Sequence, residues 1–319
     1  MSSKGNLRDH MKSIKQTVKI SSAQKLIAGA HIVKARKMLE RSQPYHDRIR
    51  LAIASVLKDC ESKSKYLDTG QEINKRGLLV ISADRGLAGG YNQNVIKLTT
   101  QAIEEKTVVK VLTVGHIGYS KFEHMNMSAS QPVVPLDESF ICAAENPTLF
   151  TSRGIAERLM DFFEEGEADC FDIIYTQFRS AVHMIPSIER LFPLSPEMLT
   201  DTNVSEVAFA SKEASASKET DASKETDVPK DAAIRFSEYE PSPDAVLETL
   251  IPQYLRGYIF SCLTQAWMCE LNSRVTAMDS AIKNGNDMLH KLALKYNRAR
   301  QGSITQELTE IVAGAASME

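Results

Sequence analysis

Toward the C-terminus, apolar residues return at alternating three- and four-residue steps: Leu271, Val275, Met278, Ile282, Leu289, Leu292, Tyr296 and Ala299, with Gly285 on the same stripe. A period near 3.5 predicts a helix that packs along another helix with a left-handed supercoil. No proline falls between Pro252 and Ala316, so the pattern predicts one continuous helix of about 95 Å. A single globular core is not that long, and part of the helix is expected to project from its own domain. Ile304, Leu308, Ile311 and Ala315 form a further apolar face, shifted by one residue from the seam. A chain end in water gains nothing from such a face, so the pattern predicts a socket made by other polypeptides.

A second seam lies at the other end of the chain. Met11, Ile14, Val18, Ala28, Ile32, Ala35 and Leu39 keep the same spacing, interrupted by Ser21 and Lys25. They predict a helix over residues 7–43, about 55 Å long and ended by Pro44, followed by a shorter helical piece through Ile49, Ile53 and Val56. Two such helices at opposite ends of a chain are expected to pair antiparallel.

Between them the period changes. The apolar run at residues 77–82, a glycine-rich turn, a helix through Val95, Ile96 and Leu98, and a second run at residues 108–114 read as strand, helix, strand. That order marks a buried parallel sheet. A helix over residues 148–165 and a strand at 171–178 extend it, and residues 182–194 add an edge strand, because Pro186 and Pro193 would disrupt a central one. From residue 200 to 231 the chain is mostly Ser, Lys, Glu, Ala, Thr and Asp, with an imperfect ASKETD repeat. Such a segment has no core of its own. Residues 234–239 are read as one more strand, and Ser242 and Pro243 as the N-cap and first turn of a helix.

Composition changes this picture little. With 43% hydrophobic and 25% charged residues in 319, the chain has the make-up of a folded protein with a sizeable core. Its net charge of -3 hides a basic start: twelve Lys and Arg against Asp9, Glu40 and Asp47 in the first fifty residues, which fits an acidic partner surface or a solvated face. Five widely spaced cysteines without a CxxC pair read as reduced, structural thiols. No run of about twenty apolar residues offers a membrane span, and no cleaved leader is assigned, because the basic N-terminal segment carries the apolar seam.

The chemistry templates mostly fail. Residues 82–92 put a glycine-rich turn between a strand and a helix, where backbone N–H groups can cradle phosphate, but the spacing is neither GxGxxG nor a Walker loop. Tight turning and close backbone approach explain its glycines, with Asp84 and Arg85 pairing with each other or with a neighbouring protein. The seven histidines stand at no metal-ligand spacing, and neither GxSxG nor HExxH occurs. The basic stretch lacks the interleaved aromatics of a nucleic-acid surface. On residues alone, a coiled-coil scaffold with an effector-binding α/β domain and a nucleotide-dependent enzyme both stay open.

Several stretches nevertheless match one family. Residues 304–315 (ITQELTEIVAGA), 274–279 (RVTAMD), 296–301 (YNRARQ) and 84–92 (DRGLAGGYN), and more loosely 19–28 (KISSAQKLIA), resemble the gamma subunit of F-type ATP synthase, the central rotor stalk. The resemblance covers nearly the whole chain except the insertion. It implies an α/β fold: a long antiparallel coiled coil of the N- and C-terminal helices plus a Rossmann-like α/β middle domain. The expected divisions are residues 1–58 and 242–319 for the coiled-coil helices, 75–199 for the middle domain, 200–231 for the insertion and 232–241 for a return strand. Implied partners are the alpha and beta subunits of a catalytic hexamer, the epsilon subunit and the membrane c-ring, with no nucleic acid, cofactor, metal or catalytic residue in this chain. Carried over position by position, Arg274, Arg300, Gln301, Thr305 and Glu307 hydrogen-bond the catalytic subunits, while Ile304, Leu308 and Ile311 form an apolar bearing. Gln24 and His31 depart from the methionine and lysine usual at their places. The insertion matches in position the regulatory insertion of photosynthetic members but lacks its cysteine pair. The implied location is peripheral, on the cytoplasmic face of a bacterial cell membrane.

Overall fold

The computed structural model describes residues 2–59, 64–68, 70, 72–104, 107–128, 134–181, 183–195, 240 and 242–316. The expected insertion at 200–231 lies outside them, as does the expected return strand except for Glu240. Contacts divide the chain into one unit of Met1–His31 and Leu271–Glu319 and another of Ile32–Glu270.

The larger unit is built on a five-stranded sheet. In chain order its elements are helix α1 (Ser2–Asp59, from Ile32 on), β1 (Arg76–Ile81), α2 (Tyr91–Glu104), β2 (Val108–Val114), α3 (His116–Met127), β3 (Leu136–Phe140), α4 (Leu149–Glu164), β4 (Cys170–Phe178), β5 (Met184–Phe192) and helix α5 (Pro243–Ala316, as far as Glu270). The strand order is β3-β2-β1-β4-β5. The first four strands are parallel and β5 runs antiparallel along β4. That is a Rossmann-like arrangement with an antiparallel edge.

Both faces of the sheet are covered, which is why β1 reads as a continuous apolar run rather than an alternating one. Leu79, Ile81, Leu112, Ile173 and Tyr175 face α1, α4 and α5, meeting Ile53, Val56, Ile155, Leu159, Leu255 and Ile259. Leu78, Val80, Val111 and Ile174 face α2 and α3, meeting Val95, Ile96 and Phe122. Gly77 is required by this packing, since a Cβ there would lie 2.2 Å from Phe171 Cε1. Two charges are buried in the strands: Asp172 is flanked by Arg76 of β1 and Arg190 of β5, and Asp137 of β3 is met by Arg158 of α4, as an anion withdrawn from water requires.

Three local readings change. Helix α1 does not stop before Pro44 but runs through it to Asp59. An interior proline costs about 3 kcal/mol, and here Ile49, Ile53 and Val56, buried in the core, favour continuation. Helix α5 likewise passes through Pro252 and begins at Pro243, where Ser242 Oγ accepts from Ala245 N at 3.3 Å in the expected capping geometry. Helix α3 and strand β3 were not expected. The sequence of β3, LDESF, has neither an apolar run nor a clean alternation, and its burial is correspondingly mixed.

The smaller unit is two helical segments. Leu7, Met11, Ile14, Val18, Ser21, Lys25 and Ala28 of α1 are half-buried or buried, and their 4-3 spacing is matched on α5 by Leu271, Val275, Met278, Ile282, Gly285, Leu289, Leu292, Tyr296 and Ala299. Two contacts give the antiparallel register. A Cβ on Gly285 would lie 2.5 Å from Val18 Cγ2, and Lys25 pairs with Asp279. Ser21 and Lys25, read as interruptions, therefore lie on the seam, and Lys25 is satisfied across it.

Candidate partner-contact surface

Of the eight expected contact residues, seven lie within three turns of α5 and one does not. Arg274 is half-buried near the start of the coiled segment, about 39 Å along the helix from Arg300. Within the cluster of seven, Ile304, Leu308 and Ile311 share one face. They are 46%, 58% and 68% exposed. Arg300 and Glu307 border that face on one side, Gln301 and Thr305 on the other, and all four are exposed.

The polar members are held by local bonds. Thr305 Oγ1 donates to the Gln301 carbonyl at 3.0 Å, and Ser303 Oγ donates to Glu307 Oε1 at 3.0 Å. Both leave the Gln301 amide, the Arg300 guanidinium and a Glu307 oxygen turned to solvent chemistry that a partner's backbone or side chain can use. An apolar stripe framed by hydrogen-bonding side chains is the anatomy of a protein interface. Sequence reading passed over a second exposed set, on α1: Ile20, Leu26 and Ile27 are 60%, 76% and 57% exposed. Their signal was available, since they fall two residues out of phase with the seam, on the opposite side of the helix.

The glycine-rich turn does other work. Asp84 and Arg85 do not pair with each other: Asp84 Oδ2 accepts from Glu145 N at 2.9 Å, and Arg85 Nη2 lies 3.2 Å from Glu145 Oε2. Both thus tie the turn to the loop before α4. Burial, partly offset by backbone donors, raises the Asp84 pKa. Positive φ at Gly89 and Leu87 makes the turn tight, and Asn92 Oδ1 accepts the Ala83 N–H at 2.9 Å. In dinucleotide-binding sheets, ligand sits beyond the strands' carboxyl ends. Here that place is filled by α5: Trp267 and Glu270 close over Ser82, Asp84 and Tyr91, leaving a cavity of about 10 Å³, room for one water. Tyr91 is buried against Cys269, and burial raises the pKa of both groups. A nucleotide does not fit there, and the Glu270 side chain lining the cavity would oppose its phosphates.

No group of three or more His, Cys, Asp and Glu side chains among the described residues is arranged to hold a metal. Cys142, Cys170, Cys262 and Cys269 are free thiols. No helix among the described residues is long and apolar enough to cross a membrane.

Comparison with known proteins agrees with this geometry. The ATP synthase family profile matches residues 3–318. The chain is 37% identical over 318 residues to the ATP synthase gamma chain of Ruminiclostridium cellulolyticum, covering 98% of each. It is 31% identical to the sodium ion specific ATP synthase gamma chain of Acetobacterium woodii, again over 98% of each. Among solved structures, a chain of the Euglena gracilis mitochondrial ATP synthase OSCP/F1/c-ring assembly in rotational state 3 aligns with a TM-score of 0.61 at 16% identity, over 99% of this chain and 95% of that one. The Euglena rotor in rotational state 1 gives 0.57 at 14% identity, over 95% and 99%. At those identities the structures speak for the fold, and the near-complete sequence matches speak for descent: the chain belongs to the ATP synthase gamma chain family.

Proposed function

We propose that this chain is the central shaft of a rotary F-type ATP synthase, non-catalytic itself, coupling ion flow through a membrane ring to conformational change at nucleotide sites on partner subunits. The observation that carries the reading is the apolar stripe of Ile304, Leu308 and Ile311, left open to water on a stiff helix in a chain whose family is the gamma chain. About half of each of those side chains' surface gains nothing until something encloses it.

A shaft transmits work only if its contact free energy with each catalytic subunit depends on its angle, because a contact equal in all conformations biases none. Arg274, Arg300, Gln301, Thr305 and Glu307 supply the angle-dependent part, since hydrogen bonds are directional. Ile304, Leu308 and Ile311 supply a bearing that centres the shaft with little angular preference. The outward Ile20, Leu26 and Ile27, set among Lys15 and Lys19, suit an acidic, apolar partner surface on the N-terminal helix. The partners in this reading are the alpha and beta subunits of the hexamer, with the epsilon subunit and the c-ring, and the chain is peripheral on the cytoplasmic face of the cell membrane. Replacing Arg274 or Gln301 by Ala in the assembled complex is expected to lower coupled ATP synthesis or hydrolysis by about tenfold, the factor that goes with one hydrogen bond to a charged or well-ordered partner. Unchanged rates in both variants would count against the assignment. Deleting residues 205–228 is expected to leave copurification with the catalytic head intact.

A further inference from the structure

One carboxylate on the sheet's edge strand gathers hydroxyls from three elements. Glu189 of β5 accepts from Tyr175 of β4, at 3.2 Å to each carboxylate oxygen, from Tyr258 of α5, and from Ser187 of its own strand at 3.4 Å. Its partners among the described residues are hydroxyl groups, with no cation. The Tyr258 ring stacks on Tyr254 with centroids 5.9 Å apart, and His46 of α1 packs against both, at 4.9 and 5.7 Å. Beside these rings α5 buries its own Leu255, Ile259, Leu263 and Ala266 in the apolar core over the sheet.

The two kinds of contact do different things. Apolar burial is non-directional; it holds α5 down but distinguishes weakly between small rolls of the helix about its own axis. A phenol–carboxylate hydrogen bond is directional and strong, and it joins α5 to the strand that has a neighbour on one side only. An anion satisfied by hydroxyls alone also loses much when one donor leaves, because the remaining donors cannot replace water.

We propose that Glu189 is a positioning residue that fixes the roll angle of α5 on the sheet, through Tyr258 on the helix side and Tyr175 on the sheet side, so that torque on α5 is carried by the sheet unit instead of being lost as slip. This rests on the shaft reading. None of the residues involved is among those assigned to partner contact, so the two can be tested apart.

The test uses the full chain in a reconstituted complex of catalytic head and membrane ring, and reads two rates: ion-driven ATP synthesis, which works against a load, and unloaded ATP hydrolysis. Tyr258→Phe and Glu189→Leu are expected to assemble, to keep unloaded hydrolysis, and to lower the ratio of synthesis to hydrolysis by about tenfold, the factor corresponding to one charge-assisted hydrogen bond. Glu189→Gln, which keeps an acceptor, is expected to recover most of the ratio, and Ser187→Ala to leave it unchanged. A purely structural role would lower both rates together through lost assembly. Wild-type ratios in assembled Tyr258→Phe and Glu189→Leu complexes overturn the proposal. Tyr258→Phe removes a single oxygen, so it still tests the clasp where Glu189→Leu fails to fold. A wild-type chain that restores no coupled synthesis to a gamma-depleted complex overturns the shaft reading itself.

Discussion

The two units bury their apolar residues to different extents. In the sheet unit, Leu78, Leu79, Val80 and Phe171 are fully enclosed by the chain's own helices, and even the charged Asp172 is matched by Arg76 and Arg190. In the helical unit, the seam encloses one side of each helix, while Ile20, Leu26, Ile304, Leu308 and Ile311 remain in contact with water. The first unit encloses a core with its own residues, while Leu149 and Phe150 stay at its surface. The second encloses a seam and leaves an apolar tip open to water. In the proposed shaft, that contrast separates residues that hold a fold together from residues offered to partners, and it predicts different responses to the same kind of substitution.

The largest effect is expected in the sheet core. Phe171→Ala removes a fully buried ring that stacks with Phe162 and Phe192 and should destabilise the sheet unit by about 3–5 kcal/mol in denaturant titrations. Next is acid. Burial lowers the His46 pKa to about 4 from 6.5. Between those values the unfolded chain binds a proton that the folded one refuses, so the contribution is present above pH 6.5 and lost as pH falls toward 4. A stability profile over that window should drop by up to about 3 kcal/mol, and His46→Phe should flatten it. In the helical unit, Gly285→Val forces a side chain against Val18, with an expected cost of about 1–3 kcal/mol. The smallest effect is at the tip. Leu308→Ala should leave chain stability within about 0.5 kcal/mol yet weaken copurification with the catalytic head. Equal destabilisation by Phe171→Ala and Leu308→Ala would erase the distinction between the units.

Much of this was legible in the residues because periodicity is a local signal. The 4-3 spacing from Leu271 to Ala299 and the apolar run at residues 77–82 each name their element without reference to anything distant. Other features depended on neighbours remote in sequence. Pro44 reads as a stop, and only the burial of Ile49, Ile53 and Val56 shows why the helix continues. Lys25 reads as a break in the seam, and only Asp279 makes it a fit. The sequence LDESF carries no clear strand pattern of its own, and it becomes a strand by pairing with β2. Asp84 and Arg85 look like a pair, whereas Glu145, brought in by the loop before α4, takes both.

The order of residues by itself determined the two helical seams, the parallel-sheet core and the exposed apolar tip, because each rests on hydrophobic period and on the short reach of backbone geometry. Tertiary structure alone decided that Trp267 and Glu270 fill the crevice where a nucleotide would otherwise sit, and that Glu189 collects Tyr175 and Tyr258. Those contacts join residues from 14 to 188 positions apart, and the free energy of such a contact depends on distance and direction in space, which spacing along a chain does not encode.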